Sequence, residues 1–208
     1  MSMPRSKDSF SRGKARYKPQ ATVLVLCEDT KSAKDYLQEA SQYFRAIMDF
    51  DHAGYTDPKG IVKFALTRTK QYDRVVCVID RDTHHNFDEA LDLARQSSKL
   101  ELIVSYPCFE YWLLLHFLES RKPYTRVGNK SAAERLIDEL CRFPEAAHYN
   151  KGSSRGLFAS LLGEPFATAR KRSPRLLADA LRVKEMNPST RLHDLISLME
   201  ELGKVQPT

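Results

Sequence analysis

The chain has 208 residues, 42% of them hydrophobic and 29% charged, with 33 Lys and Arg against 27 Asp and Glu for a formal net charge of +6. That balance excludes a disordered polyelectrolyte and leaves room for an α/β domain with a real core, while no run reaches the roughly 18 apolar residues of a membrane span. The basic N-terminus lacks the apolar stretch of a secretory signal, so a cytoplasmic location is the expectation, and the four cysteines, Cys27, Cys77, Cys108 and Cys141, are too scattered for a zinc or disulfide framework and read as core residues.

Residues 1–20 carry six basic side chains and one acidic one, with Gly13 and Pro19 and no apolar periodicity, and are expected to form a basic flexible arm. "ATVLVLCED" follows as a nearly continuous apolar run, the pattern of a strand covered on both faces. From Lys31 the apolar positions Ala33, Tyr36, Leu37, Ala40, Tyr43, Phe44, Ile47 and Met48 recur at spacings of three and four, which predicts a helix with one buried stripe. A short strand is expected near "IMDF", and "TDPKG" starts the next helix with Asp57 as its cap and Pro58 in its first turn. "DRVVCVIDRD" is a second buried strand, residues 86–97 a helix, and "LELIVS" a third strand. "SYPCFEYWLLLHF" then reads as a helix that Pro107 begins. Strands alternating with helices imply βαβ units in a parallel sheet with right-handed crossovers.

Beyond Ser120 only helical periodicity is found, around residues 130–143, 153–163, 165–185 and 189–203, with Pro188 and Ser189 or Thr190 as the last helix start. The expected organisation is the arm at 1–20, an α/β core at 21–120 and a helical region at 121–208 that either caps the core or supplies the outer covering of its sheet. Charge follows the same division. Residues 21–120 hold 11 basic and 16 acidic side chains and residues 121–208 hold 16 and 10, an acidic centre between basic flanks. That pattern suits a carboxylate site for cations in surroundings that attract a polyanion.

In an open parallel sheet, ligands bind at the carboxyl ends of the strands. Glu28 and Asp29 follow the first strand, and Asp80 and Asp82 close the second buried one. Two carboxylates at i and i+2 of an extended chain point the same way and can converge on one hard cation, with Glu28 completing or orienting the site. Magnesium, or manganese in its place, keeps most of its waters and can bridge such carboxylates to phosphate oxygens. Glu110 falls in the first turn of its helix, where the dipole favours a carboxylate by about 0.3–1 kcal/mol. It is either a capping acid or a member of the site. His116 lies about 240° around the helix from Glu110, off its face, and is either a hydrogen-bonded core residue or a catalytic one. Tyr149 and Lys151 of "HYNKGSS" either belong to an ordinary loop, the favoured reading, or reach the crevice from the C-terminal region. Arg12, Lys14, Arg16, Lys151, Arg170, Lys171 and Arg172 are the candidate contacts to nucleic acid.

Three segments in this order, "LCEDT" with Glu28, "VIDRD" with Asp80 and Asp82, and "SYPCFEYWLLLHF" with Glu110, Trp112 and His116, followed by "NPST" at residues 187–190, resemble the RloB family over about residues 20–200. The resemblance implies a Toprim-like parallel sheet with flanking helices, in which Glu28, Asp80 and Asp82 match the glutamate and aspartate pair that hold magnesium. It also implies a metal-dependent nuclease acting on RNA, including tRNA, or on DNA in anti-phage abortive infection, with an AAA-type ATPase as a partner and a homo-oligomer as an open alternative to a monomer. The chain departs from the family pattern at Asp29 and Tyr106, where Gly and Asn are usual, and Asp29 adds an acid beside the site. Two rival readings use the same residues. "VIDRDT" fits a haloacid-dehalogenase-like phosphohydrolase with Asp80 as nucleophile, but this leaves Glu28 unused and lacks a late acidic motif. The other rival is a non-catalytic module that binds nucleic acid or a partner, or a receiver-like signalling domain that would need a lysine after a fifth strand.

Overall fold

The computed structural model describes residues 21–28, 31–81, 85–152 and 154–204. Strand β1 (Val23–Cys27) is buried along its whole length. Its side chains alternate between two hydrophobic clusters, Val23, Val25 and Cys27 entering one and Leu24 and Leu26 the other. The same two-residue period divides β3 (Arg74–Asp80), with Val76 and Val78 on the first side and Val75, Cys77 and Ile79 on the second. β4 (Leu100–Tyr106) sends Ile103 to the first cluster and Leu100, Leu102 and Val104 to the second. A continuous apolar run is what a central strand needs when both its faces are covered.

The sheet order is β2-β1-β3-β4-β5. β2 (Asp49–His52), β1, β3 and β4 are parallel, while β5 (Ser189–Thr190) runs antiparallel to β4. Helix α1 (Ser32–Phe44) packs on the first face, and α2 (Pro58–Arg68) and α3 (Phe87–Ala94) pack on the second. α2 begins as its sequence requires, with Pro58 in the first turn and the Asp57 carboxylate accepting the Gly60 N–H at 2.9 Å. The chain thus turns one way from β1 to β2 and the other way from β2 across to β3 and β4. That reversal puts a switch point between β1 and β3.

After β4 the structure departs from the expected single helix. A cis peptide joins Tyr106 to Pro107, and helix α4 spans only Glu110–Leu114. Five helical residues are too few to be stable alone, so packing fixes them. Tyr111, Trp112, Leu113, Leu114 and Leu115 are all wholly buried, and each such side chain contributes about 1.5–3 kcal/mol of transfer free energy. α5 (Ala132–Leu140) opens on a capping box of Ser131 and Glu134. α6 (Leu157–Leu161), α7 (Glu164–Val183) and α8 (Leu192–Gly203) follow. Leu136, Phe158, Phe166, Leu176 and Leu195 from these helices share one hydrophobic cluster with Val25, Val76 and Ile103 of the sheet. The C-terminal helices therefore cover the same face as α1.

Strand β5 is the second departure, since no strand was expected past Ser120. Its two residues are polar and carry no apolar alternation. Both are fully buried, and Thr190 has its polar atoms satisfied: its Oγ1 lies 2.8 Å from Ser105 Oγ and its carbonyl accepts from Ser173 Oγ at 3.2 Å, while Ser189 Oγ has no hydrogen-bond partner. The last helix consequently starts at Leu192, after the strand. No helix among the described residues is long and apolar enough to cross a membrane. The basic segment 1–20, with Arg12, Lys14 and Arg16, lies outside the described residues, as do Asp29 and Asp82.

Candidate functional site

The ladder between β1 and β3 delivers two acids to one edge. Cys27 pairs with Val78, and the Glu28 N–H continues the ladder by donating to the Val78 carbonyl at 3.2 Å. Glu28 thereby stands beside the end of β3, where Asp80 is the last strand residue. The Asp80 N–H donates to Glu28 Oε2 at 3.1 Å, so the glutamate folds directly over the aspartate backbone at the switch point. From the other side the Phe109 N–H donates to Asp80 Oδ1 at 2.9 Å. This bond ties the end of β3 to the turn that precedes α4.

Glu110, the next residue, opens α4 and is only 1% exposed. Its Oε1 accepts the Tyr149 hydroxyl at 3.0 Å and has the Lys151 ammonium at 3.9 Å. Its Oε2 is buried with no hydrogen-bond partner. A buried carboxylate oxygen left so is costly and calls for a partner. The loop carrying Tyr149 and Lys151 is stapled to the start of α1. Gly152 N–H donates to Ser32 Oγ at 3.0 Å, and Ser154 Oγ donates to the Ser32 carbonyl at 2.7 Å. A segment from the C-terminal region thus closes over the edge that Glu28 begins.

Electrostatics follow from this crowding. Burial, then the Glu110 carboxylate, then the Glu28 carboxylate push the Asp80 carboxyl well above the usual carboxylate range, against the opposing pull of Lys151 and the Phe109 N–H. Burial, followed by Glu110 and Asp80, likewise pushes the Cys108 thiol up, so it is a protonated packing residue and not a nucleophile. Carboxylates that repel one another in a sheltered place suit a hard cation, and every donor here is an oxygen. Among the described residues no three of His, Cys, Asp and Glu converge closely enough to hold a metal by themselves. Glu110 is the charged group that weighs most on Asp80, and magnesium needs only one or two protein carboxylates. Glu28 stands next to Asp80, orienting it.

His116 is not brought to these acids. It is 4% exposed, with Tyr36 Oη 3.2 Å from Nε2 and the Trp112 and Leu113 carbonyls each 3.1 Å from Nδ1. The rings of Tyr36, Trp112 and Phe166 surround it. Burial lowers its pKa to about 4, so it is a neutral core residue at physiological pH. The basic cluster of α7 is divided by its contacts. Arg170 pairs with Glu200 at 2.6 Å and lies over the Phe166 ring, and Arg172 donates to the Leu115 carbonyl at 2.8 Å, while Lys171 is exposed. Two of its three cations are thus engaged in fixing α7 to its neighbours.

Tyr149 and Lys151, for which an ordinary loop was the favoured expectation, both stand at Glu110. The sequence reading missed Ser32 and Ser154, which carry no local signal because their partners lie more than a hundred residues away along the chain. A family model described as RloB-like protein matches residues 23–199. No curated protein and no solved structure matches the chain.

Proposed function

We propose that this chain, which belongs to the RloB-like family, is a metal-dependent nuclease that hydrolyses phosphodiesters of RNA or DNA. The observation that carries the reading is the meeting of Glu28 and Asp80 at the β1/β3 switch point, with the Asp80 N–H on Glu28 Oε2 at 3.1 Å. Open α/β sheets bind ligands at that point. Asp80 is the proposed cation ligand, together with Asp82, which lies outside the described residues. Glu28 fixes the Asp80 backbone and is the proposed ligand or general base acting through a water.

A bound magnesium ion would supply positive charge for the phosphate oxygens and lower the pKa of a coordinated water. The protein's own part is to exclude bulk water and hold the acids in register. The Phe109 N–H holds Asp80 Oδ1, and the Tyr149 hydroxyl holds Glu110 Oε1. Lys151, whose side chain is about half exposed, is a proposed phosphate contact. Arg12, Lys14, Arg16 and Lys171 are further proposed phosphate contacts. A role in abortive infection against phage, with an AAA-type ATPase as partner, is proposed from family membership alone.

Purified protein incubated with mixed RNA and DNA, with and without magnesium or manganese, tests the reading. The wild type is expected to cleave only with the ion, and Asp80→Asn is expected to bind nucleic acid without cleaving it. Equal cleavage by both proteins would overturn the assignment of Asp80.

A further inference from the structure

We propose that Glu110 is a cation ligand paired with Asp80, and that the Lys151 ammonium is the resident counter-charge that an incoming divalent ion must displace. The inference rests on the metal-dependent reading and extends it to residues outside the Glu28, Asp80 and Asp82 set.

Geometry carries it. Glu110 is 1% exposed, and one of its oxygens is buried with no hydrogen-bond partner. The other oxygen is engaged by the Tyr149 hydroxyl at 3.0 Å, which fixes the carboxylate in place. Asp80 shares this frame, because its Oδ1 is held by the backbone N–H of Phe109, the residue adjoining Glu110. Two acids, each held by one oxygen, Asp80 by the Phe109 peptide and Glu110 by the Tyr149 hydroxyl, leave their other oxygens to a third body. Of the charged neighbours of Asp80, Glu110 weighs most, ahead of Glu28.

A purely structural role would have paired the second oxygen of Glu110. The cost of burying a carboxylate is offset only when its lone pairs are used. Lys151 offsets part of that cost: its ammonium stands 3.9 Å from Glu110 Oε1 and draws Asp80 toward the charged form. Its side chain remains about half exposed, so it can swing away when a divalent ion arrives. Ligand and counter-charge therefore differ in sign. Removing Glu110 removes a donor, whereas removing Lys151 removes a competitor for the same carboxylates.

The test is Mn2+ binding at pH 7, read by the electron paramagnetic resonance signal of the free ion, for the full chain and for Glu110→Gln, Lys151→Gln and Asp80→Asn. Glu110→Gln is expected to weaken Mn2+ by about tenfold or more, as loss of a carboxylate donor does, and Lys151→Gln is expected to tighten it by about threefold or more through loss of local positive charge. The metal-free thermal midpoint of each variant shows that it folds. Because Lys151 is half exposed, its arm stays readable even if the Glu110 variant proves unstable. Wild-type affinity in Glu110→Gln alongside weakened binding in Asp80→Asn would overturn this inference and leave the metal-dependent reading standing. Unchanged or weaker binding in Lys151→Gln would overturn the counter-charge role. A wild type that binds no Mn2+ would overturn both readings together.

Discussion

Replacing Asp80 by Asn is expected to stabilise the metal-free protein while Ala at the same position does not. At neutral pH the Asp80 carboxylate is sheltered and faces Glu110 and Glu28, and its folded pKa is raised. For an acid whose folded pKa lies above the unfolded value of about 3.9, no penalty exists below that value, and stability falls as pH rises from there through the folded pKa. Asn removes the charge but keeps an oxygen for the Phe109 N–H that now donates to Oδ1 at 2.9 Å. The gain expected from relieving such a functional strain is about 1–2 kcal/mol. For a chain of this size it corresponds to a rise of about 2–8 °C in the thermal midpoint. Ala relieves the same repulsion but strands the Phe109 N–H, at a cost of about 1–3 kcal/mol, so its midpoint should lie at or below that of the wild type. Thermal unfolding in chelator at pH 7 and again near pH 4 gives the measurement. The Asn advantage should be present at pH 7 and nearly gone at pH 4. An Asn variant no more stable than the wild type at pH 7, or one whose advantage survives undiminished at pH 4, would refute the crowded-carboxylate account.

Two further outcomes follow from the packing. His116→Ala should cost roughly 3–5 kcal/mol in urea unfolding, because it empties an aromatic niche and strands the Tyr36 hydroxyl. In the wild type, with the folded pKa of His116 lowered to about 4, its contribution is present above the unfolded value of about 6.5 and is lost as pH falls toward 4. A histidine resonance for His116 that titrates near 6.5 would contradict this. Gly203→Ala places a Cβ against the Phe44 carbonyl oxygen, so the ends of α8 and α1 must separate, at a cost of about 1–3 kcal/mol in the same assay. A neutral result would mean that the two helix ends do not meet.

The elements that were legible are those whose signal is local. The apolar runs of β1, β3 and β4 mark strands buried on both faces, and the Asp57-Pro58 pair marks the start of α2 as observed. Where the pattern was not local, reading failed. Ser189 and Thr190 look like a helix start, yet they add an edge strand that pairs with Ser105 and Tyr106 of β4, and Ser105 and Ser173 satisfy the polar atoms of Thr190. The stretch after Pro107 has the composition of a long helix but yields only one short one, held by burial on all sides.

The candidate site divides in the same way. That Glu28 and Asp80 would share an edge follows from their positions just past two parallel strands, since a ladder in register carries whatever lies at its end. The choice between a capping acid and a site member at Glu110, and between core and chemistry at His116, was beyond one-dimensional pattern. Glu110 is buried by Tyr149, 39 residues further on, and the loop that carries Tyr149 is pinned to Ser32, 120 residues back from Gly152. Sequence alone determined the buried strands β1, β3 and β4, their core and the acids at their ends, because backbone period and strand ends are properties of short segments. Which side chains meet there, which are sealed off and what charge faces each carboxylate were decided only in the folded chain, because burial and Coulomb interaction depend on distance in space and not on separation along the sequence.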